Sequence, residues 1–171
     1  GESLMKRAIK ARPDLVIAID FLFWYCYGNK GFNGARMQTP KERMQMLEVG
    51  LAMLDTYDGP IVVGDLPDMS GAIGHMLSRS QVPKPKTLEA LNAKIHEWAE
   101  QRPRITIFPL AEITHKLGKG QNFSIGEHEW DEELLAGSLQ RDQLHPTLDG
   151  QIALIQVLES LILEDEELSS R

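Results

Sequence analysis

Residues 14–19 read Asp-Leu-Val-Ile-Ala-Ile, a short apolar run that is rich in β-branched side chains. Two further strand-like runs follow, at residues 61–63 (Ile-Val-Val) and 104–108 (Arg-Ile-Thr-Ile-Phe). Apolar runs that do not alternate with polar residues are typical of strands buried on both faces. The three runs therefore predict three strands inside a sheet.

Helical periodicity fills the spaces between and after these runs. Apolar residues recur at the spacing of one helix face in four segments, at residues 4–11, 40–57, 87–100 and 147–163. In the last segment the spacing predicts a buried side made of Leu148, Ile152, Ile155, Leu158 and Ile162. Residues 116–140 predict a loop-rich segment with one helical turn around 130–136. Strands that alternate with helices predict a parallel sheet between helical layers, in a single α/β domain over residues 1–171.

Charge and composition exclude several classes of protein. The chain has 18 Lys and Arg against 25 Asp and Glu, and this net charge of −7 disfavours a nucleic-acid partner. One cysteine, Cys26, excludes an internal disulfide framework and a multi-cysteine zinc site. The histidines outside the motif described next lack metal-ligand spacing, so no metal and no cofactor are predicted. The longest apolar stretch, residues 15–27, contains Asp20 and is too short to span a membrane. No signal peptide opens the sequence, which favours a cytoplasmic location; the oligomeric state is not readable.

The segment that points to chemistry is Asp-Gln-Leu-His-Pro-Thr at residues 142–147, directly before the last predicted helix. Pro146 fixes its own φ and is tolerated at a helix start, so the turn before it is stiff. The three-residue offset lets the carboxylate of Asp142 reach the Nδ1–H of His145. Such a carboxylate holds the tautomer and leaves Nε2 free to take a proton from a hydroxyl group. The spacing predicts a general base together with the residue that orients it.

A simpler interpretation of the motif stays open. Asp142 is then a turn-capping residue and His145 a surface histidine, because short motifs often occur by chance. The position of the motif favours catalysis, since ligands of parallel α/β sheets gather beyond the carboxyl ends of the strands.

The stretch Asp-Gln-Leu-His-Pro-Thr-Leu-Asp-Gly at residues 142–150 resembles the final conserved block of SGNH/GDSL hydrolases, in which Asp-x-x-His opens the last helix. Residues 13–17, 61–67 and 91–109 resemble other strands and helices of that family, in the same order. The resemblance implies a three-layer α/β/α flavodoxin-like sandwich with a parallel sheet. It also implies hydrolysis of a small-molecule acyl ester through an acyl-serine, with catalytic roles for the Asp–His pair.

The sequence departs from the family at the nucleophile. Gly1-Glu2-Ser3-Leu4 looks like the Gly-Asp-Ser block, but no strand precedes it to present Ser3 on a strand-to-helix turn. Gly1 is a better match to the family's second block, whose glycine N–H serves the oxyanion hole; a tag remnant is the alternative. On this alignment the sheet lacks its first strand, and that strand and the nucleophile lie upstream of Gly1.

The third family block differs as well. The family typically ends the strand at 14–19 with Gly-x-Asn-Asp, whose Asn donates to the oxyanion, whereas here Asp20 is followed by four aromatic residues within 21–25. A carboxylate repels an oxyanion, so Asp20 is expected to orient a neighbouring side chain or to bind a polar part of the substrate. The aromatic residues line an acyl pocket or pack in the core. Asp65 and Asp68 either reach the rim of the site or form turns.

Two functions of different classes follow. The first is a serine hydrolase of the SGNH/GDSL type that cleaves an ester or related acyl bond. The second is a non-catalytic binding module that keeps the fold, which the absent nucleophile and the absent Asn favour. The residues upstream of Gly1 distinguish the two, because a strand followed by Gly-Asp-Ser favours the enzyme.

Overall fold

The computed structural model describes residues 2–31, 34, 37, 39–120, 122–125 and 128–164. These fall into two compact units, the described parts of residues 1–66 with 83–109 and of residues 67–82 with 110–171. The chain combines helices with a small parallel sheet, which confirms the predicted α/β class. The single domain over residues 1–171 stays a prediction.

The sheet of the first unit has three parallel strands, β1 (Val16–Ala18), β2 (Ile61–Gly64) and β3 (Ile105–Phe108). Their order is β1-β2-β3, with Val62 paired to Ile17 on one side and to Thr106 on the other. Each strand lies on one of the three runs identified in the sequence, so the parallel arrangement of these runs is confirmed.

Burial differs between the central strand and β1. All four residues of β2 are buried, as predicted. In β1, Val16 and Ala18 are buried but Ile17 is 53% exposed, so the prediction of burial on both faces is wrong for this strand. Side chains alternate across a strand, so Val16 and Ala18 share the covered face and Ile17 takes the other.

The helices described in the first unit are α1 (Glu2–Ala11), α2 (Phe23–Cys26), α3 (Pro40–Leu54) and α4 (Pro85–Glu100). All but α2 lie in segments where helices were predicted. α3 begins with a capping box, in which Thr39 Oγ1 accepts from the N–H of Glu42 at 3.2 Å and Glu42 Oε2 accepts from the N–H of Thr39 at 2.8 Å. This reciprocal pair satisfies backbone donors that a helix start leaves free.

Asp55, which follows α3, fastens that helix to the end of α4. Its carboxylate accepts from Arg102 through Nε at 2.7 Å and Nη2 at 3.0 Å, and from Trp98 Nε1 at 3.1 Å. Arg104 Nη2 adds a contact at 3.3 Å. Bidentate, charge-assisted hydrogen bonds are stronger than neutral single ones, so this cluster holds the end of α3 against the end of α4.

The aromatic residues after β1 enter the core of the first unit only in part. Phe23 and Tyr27 are buried and stack with ring centroids 4.2 Å apart. Cys26, next to Tyr27, is fully buried, and this burial raises the pKa of its thiol to about 12. Trp24 is exposed. Core packing is therefore the interpretation that holds for Phe23, whereas Trp24 stays outside the core.

The elements of the second unit are a 3₁₀ turn (Ser70–Ala72), α5 (Leu110–Lys119), β4 (Phe123–Ile125), β5 (His128–Trp130), α6 (Glu132–Gly137) and α7 (Leu148–Glu164). The loop-rich prediction for residues 116–140 is therefore wrong over the end of α5 and over the β4–β5 hairpin. Stacking of Phe123 on Trp130, with centroids 5.3 Å apart, joins the two short antiparallel strands. α6 occupies most of the helical turn predicted around 130–136.

The predicted buried face of α7 is wrong for Leu148, Ile152 and Ile155, all of which are exposed. Leu158 and Ile162 are half-buried. The buried residues of the helix are small or medium-sized: Gly150, Ala153 and Val157. A Cβ at Gly150 would collide with the backbone carbonyl oxygen of Ser138. The close approach of α7 to that backbone therefore selects its small-residue side.

Candidate active site

The Asp-x-x-His turn brings its two titratable side chains into contact. Asp142 Oδ1 accepts hydrogen bonds from the backbone N–H groups of Leu144 and His145, both at 3.0 Å. Asp142 Oδ2 lies 2.8 Å from Nδ1 of the His145 ring. One carboxylate oxygen therefore shapes the turn and the other orients the imidazole. This is the contact expected from the three-residue spacing.

Backbone hydrogen bonds fasten the turn to the segments on either side. The N–H of Gln140 donates to the carbonyl of His145 at 2.8 Å, and the N–H of Thr147 donates to the carbonyl of Ser138 at 2.9 Å. Gln143 has a φ of 56°, in the left-handed region that non-glycine residues adopt mainly in turns. The end of α6, the turn and the start of α7 thus form one hydrogen-bonded piece.

The surroundings of the pair favour the ionised form of the Asp142 carboxylate and leave the His145 ring partly exposed. The hydrogen bond from the His145 ring, together with the two backbone N–H donors, lowers the pKa of Asp142 from 3.8 to about 2. The His145 side chain is 50% exposed and that of Asp142 is 25% exposed. Within the described part of the chain, no residue hydrogen-bonds Nε2 of His145. That nitrogen is therefore available to accept a proton.

The low pKa of Asp142 is open to direct measurement. We expect its carboxyl group to titrate with a midpoint of about 2 in a carbon-13 NMR pH series. In His145→Ala the midpoint should rise because its largest cause is removed, but it should stay below 3.8 because the backbone N–H donors remain. His75→Ala, at an exposed histidine of the same unit, should leave the midpoint unchanged.

The same shift gives the sign of a pH effect on stability. Because folding depresses the pKa of Asp142, the ionised carboxylate stabilises the fold above pH 3.8, and this contribution is lost as the pH falls towards 2. Asp142→Asn should therefore unfold at lower urea concentration than the unmutated protein at neutral pH, with the difference closing in strong acid. In the NMR titration, a midpoint near 3.8 for the Asp142 carboxyl group of the unmutated protein would contradict its contact with His145.

The sequence also singled out Asp20, Gly1 and Asp68. Asp20 belongs to the first unit, in the turn after β1, where it is exposed and has no hydrogen-bond partner in the described chain. Gly1, the predicted oxyanion donor, lies outside the described residues. Asp68 forms a turn, since its Oδ1 accepts from the N–H of Ser70 at 2.9 Å. Turn formation is thus the interpretation that holds for Asp68.

Two contacts after β2 were not anticipated. Asp65 is buried, and its Oδ2 lies 3.2 Å from Nε2 of His96 on α4. One turn earlier on α4, Asn92 donates to the carbonyl of Leu66 at 2.9 Å and accepts from its N–H at 2.7 Å. The i, i+4 spacing of Asn92 and His96 is the one sequence signal for this arrangement, because it places both on one helix face.

A serine–histidine contact also lies in the second unit. Nε2 of His128 is 2.9 Å from Oγ of Ser160, a residue inside α7. In the part of the chain that the structure describes, no carboxylate hydrogen-bonds His128 to orient it. A helix interior also lacks the strand-to-helix turn that exposes a nucleophilic serine. The Asp142–His145 pair is therefore the better candidate for a general base.

Among residues 2–31, 34, 37, 39–120, 122–125 and 128–164, no group of three or more His, Cys, Asp and Glu side chains is placed to hold a metal ion. None of the helices described has both the length and the apolar character needed to cross a membrane. Comparison of the chain with models of known protein families, with curated proteins and with solved structures found no match.

Proposed function

We propose that this chain carries the base half of the catalytic triad of an SGNH/GDSL-type serine hydrolase that cleaves a carboxylic ester or a related acyl bond. The observation that carries the proposal is the 2.8 Å contact between Asp142 Oδ2 and His145 Nδ1, within a turn that Asp142 Oδ1 itself stabilises. A carboxylate on one ring nitrogen and an unoccupied second nitrogen are what a general base needs.

In the proposed reaction His145 acts twice. Nε2 takes the proton of a serine hydroxyl as the serine oxygen bonds to the ester carbonyl carbon. The imidazolium then returns that proton to the leaving alkoxide as the ester C–O bond breaks, which leaves an acyl-serine. Water attacks the acyl-serine with the same proton transfers and regenerates the serine. Asp142 keeps the Nδ1–H tautomer and stabilises the imidazolium throughout.

The nucleophile and the oxyanion donor belong to the proposal as well. We place the nucleophilic serine upstream of Gly1 and assign the Gly1 N–H to the oxyanion hole, both on the resemblance to the family's blocks. Ser3, which is exposed in the first turn of α1, is left out of the proposed machinery, because residues 1–4 match the family's second block better than its Gly-Asp-Ser block. Asp20 is assigned to a polar part of the substrate.

The proposed family also implies a more detailed fold than the α/β class. We propose the three-layer flavodoxin-like sandwich, with one further strand next to β1. The parallel order β1-β2-β3 supports this, because it leaves β1 at the end of the described sheet.

A non-catalytic binding module is the second candidate. It is favoured by the absence of the family's oxyanion-donating Asn after β1, where the chain has the exposed Asp20. Such a module would keep the fold and the Asp-x-x-His turn but turn over no ester.

A labelling experiment distinguishes these functions. The protein translated from the whole reading frame that contains this chain is incubated with p-nitrophenyl acetate and, separately, with a fluorophosphonate that modifies activated serines. We expect hydrolysis of the acetate and one covalent adduct, which peptide mass spectrometry should locate upstream of Gly1. An adduct on Ser3 or Ser160 would overturn the assignment of the nucleophile. The absence of both hydrolysis and adduct would favour the binding module.

A further inference from the structure

A cavity of about 550 Å³ lies within the second unit, beside the Asp-x-x-His turn. Its walls are formed by the segment around the 3₁₀ turn, by the second half of α5, and by the segment from α6 to Gln143. Its volume falls within the range of small-molecule sites, roughly 300–1,000 Å³. The cavity is therefore large enough for a substrate part of several carbon atoms.

The cavity lining mixes apolar and polar residues. Its less exposed hydroxyl groups, on Thr114 and Ser138, already donate to the backbone carbonyls of Leu110 and Leu135. The apolar lining residues Met69, Leu117, Leu135 and Leu139 are half-buried. The lining residues that can carry charge, Asp68, His115 and Lys119, are exposed. One carboxylate and one ammonium group at the rim cancel in charge. This distribution suits an uncharged chain whose carbon atoms leave water on binding.

The cavity is tied to the proposed catalytic turn through its lining. Gln143, which stands between Asp142 and His145 in the sequence, lines the cavity, and its Cβ lies 3.7 Å from where a Cβ on Gly71, another lining residue, would be. Its left-handed φ belongs to the same turn. Leu139 pairs with Pro146 directly after His145. A ligand in the cavity therefore lies against the segment that holds the general base.

We propose that this cavity binds the acyl chain of the ester and that it selects uncharged chains of medium length over acetyl. The inference rests on the proposed function and adds the substrate class to it. Each methylene that leaves water for an apolar wall favours binding by roughly fourfold. We expect kcat/KM to rise at least about tenfold from p-nitrophenyl acetate to p-nitrophenyl octanoate.

Gly118 allows a direct test of the cavity. It lines the cavity on α5, its φ is not positive, and a Cβ added there meets nothing within 4 Å. Gly118→Leu should therefore fill the cavity without backbone strain. We expect it to lower the ratio of kcat/KM for the octanoate to kcat/KM for the acetate at least about tenfold. His75→Leu is the control, because His75 is exposed in the same unit and does not line the cavity; that ratio should stay unchanged.

A binding measurement separates failure of the cavity from failure of the proposed reaction. Calorimetric titration of octanamide into His145→Ala should detect binding, and Gly118→Leu added to that variant should abolish it. If Gly118→Leu folds poorly by circular dichroism, Ala136→Leu, at another lining residue, takes its place. If hydrolysis depends on His145 but the variants with a filled cavity keep the same preference for chain length, the proposed role of the cavity is wrong. The proposed hydrolase function then still stands. If the protein hydrolyses no ester but binds octanamide, and Gly118→Leu abolishes that binding, the cavity is supported as a binding site. The proposed hydrolase function is then wrong.

Discussion

Replacing His145 with alanine in the protein translated from the whole reading frame is expected to lower kcat for p-nitrophenyl acetate hydrolysis by about 10²–10⁴-fold, the usual contribution of general acid–base catalysis. The loss should come without unfolding, because the His145 side chain is half exposed and its backbone hydrogen bonds do not require the ring. Steady-state kinetics and circular dichroism on the same preparation check both points. His75→Ala, at an exposed histidine of the same unit, is the control and should stay within about twofold of the unmutated rate.

Asp142→Asn separates the shape of the turn from its chemistry. The amide oxygen can still accept from the N–H groups of Leu144 and His145, so the turn is kept. The amide NH₂ donates where the carboxylate accepted, which moves the ring proton to Nε2 and blocks proton uptake there. We expect a loss on the order of 10⁴-fold in kcat. The double variant with His145→Ala should be no worse than the more damaging single variant, because the two residues act as one unit. Activity of His145→Ala within about threefold of normal would refute the assignment.

Gly150→Ala is expected to destabilise the second unit by about 1–3 kcal/mol, as overpacking of a close contact does. The new Cβ would collide with the carbonyl oxygen of Ser138 and lie 3.2 Å from Cβ of Pro146. The carbonyl cannot move freely, since it accepts the N–H of Thr147 at 2.9 Å. These contacts outweigh the gain of about 1 kcal/mol that alanine brings to a helix. Urea unfolding followed by circular dichroism measures the change.

Gly118→Ala is the matched control for this substitution. It is also a helical glycine, but a Cβ there meets nothing within 4 Å, so only the helix preference remains. We expect it to stabilise the protein by up to about 1 kcal/mol. The two substitutions are chemically identical and should have opposite signs. Stabilisation by Gly150→Ala would mean that α7 does not approach Ser138 closely.

What could be predicted from the sequence was local. The strands β1, β2 and β3 lie on apolar runs that are visible in the sequence, and the Asp142–His145 contact spans three residues in one stiff turn. α5 was missed although Leu110, Ile113 and Leu117 recur at helical spacing. Ten residues make fewer than three helical turns, so three apolar positions give only a weak periodic signal.

What could not be predicted depends on partners far apart in the chain. The buried side of α7 is the side that approaches the carbonyl of Ser138, which is possible because Gly150 has no side chain there. It is not the side that carries the largest apolar residues. Asp65 meets His96 across 31 positions of sequence. No periodicity encodes such a distance. The cavity beside Gln143 was unpredictable for the same reason, since three separate segments build its walls.

The burial of Cys26 has a consequence for the redox behaviour of the chain. Oxidants and alkylating reagents attack the thiolate, and a thiol with a pKa of about 12 holds almost none of it at neutral pH. The side chain is fully buried, and Cys26 directly precedes Tyr27 of the stacked pair in the sequence. It is also the one sulfur in these 171 residues that can form a disulfide. A covalent dimer formed in air therefore reports that the first unit has opened.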